Sequence, residues 1–444
     1  MSYKELRRIP QTNDLRKIMY FERALLGLTG GWICRLPHLE AKYMVARHQY
    51  EWAEHVNVLR KRLTEMPGGK PDGLLTPALQ SIIDECLFAP DDKPFLEVLY
   101  TILLPFVRDA YRAYSLSSNE LPDRPTIFIL KDVDQTLNQQ IDQGLTFMKA
   151  TYGTPGSLDR WAVEKSVWAK HIQHLLDSAG GIYGQIEADE IRNLRHHAGQ
   201  TYHPPEQQVR EEHVHLNYHF QPIAGYDPQV RLKGEVDIER VVLAVWLYNE
   251  IDAAEVLPTL FYEMKGMPWE FYYDLARHSW DEARHSEFGY KLLQMFDFKP
   301  EEFEFAVGTY MGIMKLKPHE RYALIACVFE PKVFTMKPDY LERLADDAGE
   351  SDALVELMRF DLADETNHVR YGNRWVKELM KLHGEQEDLQ VFLDRILQKV
   401  IEVNQELHLT VTPTMPAEQR HNFQSVKKRM AEWKQKKANS AASL

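Results

Sequence analysis

Asp281-Glu282-Ala283-Arg284-His285 and Asp364-Glu365-Thr366-Asn367-His368 share one arrangement: an acidic pair, then a histidine at i+3 from the glutamate. An aromatic residue and a glycine follow each, Phe288-Gly289 and Tyr371-Gly372. On a helix, i and i+3 lie on one face about one turn apart. Glu282 with His285, and Glu365 with His368, can therefore each grip one metal ion. Two such helices, with one further glutamate from each of two other helices, supply the ligands of a two-metal carboxylate centre inside a helical bundle. A single Glu-x-x-His arises readily by chance; two copies with matching flanks do not.

The elements that must position these residues are helices with inward apolar stripes. One stripe reads Leu275, His278, Glu282, His285, Gly289, Leu292, Phe296; the other reads Leu354, Met358, Asp361, Glu365, His368, Gly372, Trp375, Leu379. Both metal pairs sit between apolar rows, where surface glutamates do not belong. In the preceding helix Glu250 lies on the stripe Trp246, Glu250, Ala253, Leu257, Leu260, whereas Glu255 lies off it. Counting away from the turn at Gly266-Met267-Pro268 puts Glu250 level with Glu282. Ala323, Cys327, Glu330 and Phe334 form the stripe of the fourth helix, with Glu330 level with Glu365 and Pro331 loosening the helix beside it. The expected metal ligands are thus Glu250, Glu282, His285, Glu330, Glu365 and His368. His278, one turn before Glu282, is either a further ligand or a hydrogen-bonded core histidine.

Charge gives a second argument. Four buried carboxylates without cations would be costly and some would protonate. Two divalent ions balance them, and mixed carboxylate and imidazole ligation suits iron or manganese. Histidine ligands usually give their second N–H to a carboxylate or carbonyl. Asp281 and Asp364 stand where each can serve the histidine of the opposite helix, and Asp361 is also expected behind the ligands.

The segment 237–382 resembles the ferritin-like di-iron carboxylate superfamily, which includes ribonucleotide reductase small subunits, bacterial multicomponent monooxygenases and arylamine N-oxygenases. Asp281-Glu282-Ala283-Arg284-His285 is similar to the Asp-Glu-x-Arg-His signature of the monooxygenases; Asn367 stands where the second copy would carry the arginine. The N-oxygenases have an extra histidine ligand one turn before their second Glu-x-x-His, where this chain has Asp361. The resemblance implies a ferritin-like four-helix bundle holding two iron ions that activate oxygen, with manganese or one ion of each as variants.

The chain has 444 residues, enough for two or three domains, and 44% are hydrophobic, enough for a large core. Helical periodicity dominates, so the fold class is all-α. Residues 14–35, 40–65, 97–117, 130–150 and 158–178 read as an additional N-terminal helical bundle, domain 1–184, punctuated at Pro67-Gly68-Gly69, at Pro122 and Pro125, and at Gly153-Thr154-Pro155-Gly156. This bundle reads as a worn copy of the later one: His55 falls on His285 and Glu51 on Asp281, Glu22 stands opposite, and the Glu-x-x-His is gone. Residues 185–235 form a His-rich linker or arm with a strand signal at 213–220. Helices near 237–265, 269–296, 301–315, 318–345, 351–382 and 386–408 build the metal domain, 236–412. The tail, 413–444, is basic and is either a solvated helix or one docked on an acidic surface.

A net charge of -13 argues against nucleic acid as a partner. No apolar run reaches membrane-spanning length. Met1 to Arg16 is polar and predicts no secretory signal. Cys34, Cys86 and Cys327 are far apart and odd in number, which fits small core residues in a reducing cytoplasm. The expected activity is oxidation of a small organic substrate by dioxygen, near Trp246, Phe334 and Trp375, with an electron-donor protein as a further partner and a homodimer as one open oligomeric state. Iron handling by ferroxidase activity, and a metal-free partner-binding bundle, are the rival readings.

Overall fold

The computed structural model describes residues 12–153, 165–225, 235–348, 353–408 and 411–441. The chain is all-α; among the described residues the only strands are β1 (Leu216–Asn217) and β2 (Phe305–Ala306), which pair in parallel. The strand expected over 213–220 therefore shrinks to two residues. Two compact units form: unit 1 runs to Leu36 and again from Arg47 to Pro204, and unit 2 takes Pro37–Ala46 and everything from Pro205. The segment 185–235 is thus divided between the units at Pro204.

Unit 1 contains α1 (Thr12–Trp32), most of α2 (Leu39–Glu65), α3 (Pro77–Cys86), α4 (Asp92–Val98), a π-helical turn at Leu99–Leu103, α5 (Leu104–Ser117), α6 (Glu120–Tyr152), α7 (Val167–Ser178) and α8 (Ala188–Leu194). The pattern reading missed α3 and began α6 ten residues late. Pro122 lies in the first turn of α6, where no backbone N–H is required, and a kink at Asp123 (φ -114°, ψ 15°) admits Pro125. The expected start of α7 at 158 lies outside the described residues.

In unit 2, α9 (Val236–Asn249) and α10 (Ile251–Glu263) make one rod interrupted at Glu250. The turn at Gly266, whose φ of 86° suits glycine, leads into α11 (Trp269–Met295). The third rod is α13 (Pro318–Leu324), a π-helical turn at Ile325–Phe329, and α14 (Glu330–Ala348); the fourth is α15 (Ala353–Leu382). α9 packs on α11, α11 on α15, α15 on α14, and α14 on α9, so four rods enclose one core. Between the second and third rods the expected helix 301–315 resolves into a 3₁₀ turn at Pro300–Glu302, β2 and a short α12 (Gly308–Met314).

The repeated glycines set two of these contacts. A Cβ on Gly289 would lie 2.1 Å from the backbone nitrogen of Tyr248, and one on Gly372 would lie 2.4 Å from the carbonyl oxygen of Ala326. Each Glu-x-x-His is thus followed, one turn on, by a residue without a side chain where its helix touches a neighbour.

α16 (Leu389–Leu407) completes the domain, and the tail forms α17 (Phe423–Ala441) against α9. Val426 and Met430 are buried, while Lys427 reaches Glu235 and Lys434 reaches Asp237, both at 2.6 Å. The acidic surface that the basic tail docks on belongs to its own chain. Among the described residues no helix is long and apolar enough to cross a membrane.

Candidate metal centre

Glu250 sits at the joint between α9 and α10. Its N–H donates to Leu247 and its carbonyl accepts from Ala253 and Ala254, so one rod ends and the next begins on it. Glu282 and His285 come from the inward stripe of α11, and Asp361, Glu365 and His368 from that of α15. Glu330 follows the π turn directly. Pro331 has no N–H to offer the carbonyl of Cys327, and the wider turn accommodates the missing bond.

Two groups of atoms able to ligate a metal result, each with all its atoms within 4.8 Å of one another. The first is His278, Glu282, Glu330 and His368; the second is Glu250, His285, Asp361 and Glu365. In the first, His278 Nε2 lies 3.1 Å from Glu330 and 3.5 Å from Glu282, and His368 Nδ1 lies 3.2 Å from Glu282. His368 Nδ1 also lies 3.6 Å from Glu365, which links the groups. In the second, His285 Nδ1 lies 3.2 Å from Glu250 and 3.3 Å from Asp361.

The six residues expected as ligands are thus all present at one place. His278 joins them with its ring stacked on His368 at 3.9 Å. Asp361, expected behind the ligands, lies in the second group, beside Glu250, His285 and Glu365. It sits one turn before Glu365 on the same stripe, which brings its carboxylate to the cluster. Glu255 goes elsewhere: it is fully buried against Lys42 and Arg210.

The outer nitrogens find the opposite helix. His285 Nε2 faces Asp364 and His368 Nε2 faces Asp281, both at 3.4 Å. Both arginines that tie this pair together come from α11. Arg277 reaches Asp281 at 2.8 Å and Asp364 at 3.0 Å, and Arg284 reaches Asp364 at 2.7 Å and also contacts Asp281. The missing arginine of the second copy therefore leaves neither aspartate without one.

A residue that the sequence reading did not single out completes the cluster. Lys337 is buried with its ammonium 2.7 Å from Asp361, 2.5 Å from Glu365 and 3.6 Å from Glu250. Its signal lay in the sequence: extending the stripe Glu330, Phe334 by one more turn places a lysine on an apolar face.

Electrostatics follow from burial set against neighbours. Burial pushes the Glu250 carboxyl up to about 7 against the pull of Lys337. Burial also opposes ionisation of Glu282, but His278 and His368 outweigh it and bring the carboxyl down to about 2. Glu330 is lowered by the same two histidines. Burial disfavours the imidazolium forms of His285 and His368, yet the surrounding carboxylates raise both well above the ordinary histidine range. The Lys337 ammonium and the imidazoles of His278, His285 and His368 are the groups that face these carboxylates.

The donor set fits two divalent ions. Glu250 Oε2, Glu282 Oε1, His285 Nδ1, Asp361 Oδ2, Glu365 Oε2 and His368 Nδ1 are all buried and make no hydrogen bond. Buried polar atoms are otherwise almost always hydrogen-bonded; here six are not, although His285 Nδ1 faces Glu250 Oε2 and His368 Nδ1 faces Glu282 Oε1, each at 3.2 Å, and such a convergence in two adjacent groups suits ligand atoms. All donors are oxygen or nitrogen, which suits iron or manganese and offers no thiolate.

Above the carboxylates of Glu250, Glu282, Glu330 and Glu365 opens a cavity of about 400 Å³. Trp246, Ile313, Ile325, Phe329, Val333 and Tyr340 give it a largely apolar wall. Of the three residues expected around a substrate, Trp246 lines it; Phe334 and Trp375 do not, and Trp375 donates instead to Asp274 at 2.8 Å.

Unit 1 has a related arrangement in which Glu22 remains but other acidic positions do not. Its π turn, Leu99–Leu103, is followed by Leu104 and Pro105, as Ile325–Phe329 is followed by Glu330 and Pro331. Glu22 meets His55 Nδ1 at 2.7 Å, and a Cβ on Gly144 would strike Tyr100 as one on Gly372 would strike Ala326. Trp52 stands three residues before His55, where Glu282 stands before His285. Elsewhere in this unit Glu85 meets His171 at 3.2 Å with His196 beside it, but Arg195 and His197 also hold the same carboxylate.

A family model described as a protein of unknown function (DUF455) matches residues 239–410, a segment that holds all the residues of both ligand groups and Lys337. No curated protein and no solved structure matches the chain.

Proposed function

We propose that this chain is an oxygen-activating di-iron oxidase or oxygenase of the ferritin-like class, acting on a small, largely apolar organic molecule. The observation that carries the reading is the set of six buried carboxylate and imidazole atoms that make no hydrogen bond, between two Glu-x-x-His helices, at the floor of a largely apolar cavity. Bound ferrous iron would supply the electrons that reduce dioxygen, and manganese in one or both positions suits the same donors. The chain's own residues do the rest. Asp281 and Asp364 hold the proton of each histidine on Nε2 and leave Nδ1 for the ligand bond. The arginine pair fixes those aspartates. The apolar walls exclude water and favour an apolar substrate over a hydrated ion.

Iron storage is less well supported, because the space above the carboxylates is walled mainly by apolar side chains, Trp246, Ile313, Ile325 and Phe329 among them. The test is anaerobic loading with ferrous iron, elemental analysis, then oxygen uptake with and without apolar candidate substrates. About two metals per chain and substrate-stimulated uptake are expected. Folded protein that takes up no metal would falsify the reading, and rapid multiple-turnover oxidation of added ferrous iron with mineral formation would replace it by iron handling.

A second reading concerns unit 1. We infer that it is a copy of the same bundle that has lost its metal set, since the π turn with its proline, the Glu22–His55 pair and the glycine contact persist while Trp52 and Leu104 occupy ligand positions. Substituting Glu22 by Gln should leave the metal content of the whole chain unchanged; loss of one ion would overturn this.

A further inference from the structure

We propose that Lys337 is a built-in cation of the second ligand group, holding its carboxylates together before loading and making it the weaker of two unequal metal sites. The proposal rests on the di-metal reading above. Five carboxylates face the centre: Glu250, Glu282, Glu330, Asp361 and Glu365. Two divalent ions neutralise four of them. The fifth charge is matched by the Lys337 ammonium, whose three carboxylate contacts, Asp361, Glu365 and Glu250, all belong to one group.

The two groups therefore differ in kind. The first offers two imidazoles and two carboxylates. Among the described residues neither Glu282 nor Glu330 pairs with a lysine or arginine; their ion-pair partners are His278 and His368. The second offers one imidazole and three carboxylates already shared with a fixed positive charge. Lys337 takes Asp361 Oδ1 and Glu365 Oε1, while Asp361 Oδ2 and Glu365 Oε2 make no hydrogen bond. An ion bound through those remaining oxygens would sit within a few ångströms of the ammonium. At that separation in a buried site, like charges repel by far more than thermal energy. The first ion should enter His278, Glu282, Glu330 and His368; the second must enter against Lys337.

Unit 1 offers a comparison. Two turns beyond Leu104, where Lys337 stands two turns beyond Glu330, it has Tyr111, whose hydroxyl donates to Glu22 at 2.7 Å. With the other acids replaced, a neutral donor holds the one glutamate that remains. The ammonium stands where the carboxylates outnumber what two ions can neutralise.

The experiment is anaerobic calorimetric titration of the full chain with Mn²⁺, with Mn²⁺ stoichiometry counted independently by electron paramagnetic resonance. Wild type should bind two ions with affinities at least tenfold apart. Lys337→Met should strengthen the weaker step at least tenfold and leave the stronger within about twofold, while Lys337→Arg should keep the gap. Should Lys337→Met fail to fold, Lys337→Gln removes the charge while keeping a polar side chain there, and should also narrow the gap. Equal affinities in wild type, or loss of the second ion in a folded Lys337→Met variant, would overturn the proposal while leaving the di-metal reading standing. Absence of any bound ion in wild type would sink both.

Discussion

Replacing Glu255 by alanine separates the roles of two glutamates that lie five residues apart. Glu255 is fully buried; Oε1 meets Lys42 and Arg210, and Oε2 accepts from Arg210 at 2.8 Å. Removing it leaves two buried cations without their carboxylate, a change that costs about 3–5 kcal/mol. One neighbour softens the loss. Asp252 lies 3.7 Å from Arg210, and burial together with the Glu255 charge pushes its carboxyl up to about 8. Taking that charge away eases ionisation of Asp252, which burial still opposes, so it compensates only in part. The expected destabilisation is therefore near the lower bound, about 3 kcal/mol. Urea unfolding followed by tryptophan fluorescence reads it as a midpoint shift, on the order of 1 M for slopes of a few kcal/mol/M. Metal stoichiometry measured below the transition should stay at about two per chain. Glu250→Ala should do the reverse, losing metal with a smaller effect on the metal-free fold. Should Glu255→Ala lose metal while folded and Glu250→Ala keep both ions, the account of this helix is wrong.

Asp364→Asn should weaken metal binding about 10- to 100-fold without changing helix content, because His285 would lose its carboxylate partner; unchanged affinity would show that the aspartate only pairs with arginine. Gly289→Ala places a methyl 2.1 Å from the Tyr248 backbone and should destabilise unit 2 by about 1–3 kcal/mol, with metal loss as the helices part; a thermal melt equal to wild type would refute the close approach. In unit 1, burial works against the Glu85 carboxylate, but bonds from Arg195, His197 and His171 prevail and hold it below its ordinary 4.5. A lowered folded value means stability that is present above about pH 4.5 and lost as pH falls through the folded value. Glu85→Gln should remove this acid-sensitive share, and an identical slope of stability against pH below 4.5 in both proteins would contradict it.

The periodic parts of this protein were legible in its sequence. Stripe membership and level across a turn distinguish Glu250 from Glu255, because a helix turns 100° per residue and five residues carry the side chain to another face. The same geometry assigns Asp281 and Asp364 to the opposite helix. The doubled motif announces itself because ligand spacing on a helix is local. Only tertiary structure decided the rest. The stripe of α15 turns Asp361 inward, but only the packing of α15 against α11 and α14 decides that its carboxylate falls in one group with Glu250, His285 and Glu365. Lys337 reads as a break in an apolar face until three carboxylates from two other rods close around it. Phe334 and Phe329 lie on one helical segment, yet Phe329, the last residue of the π turn, lines the cavity and Phe334 does not. Local spacing is encoded by neighbours in the chain; charge balance and cavity shape are set by residues that meet only when the rods pack.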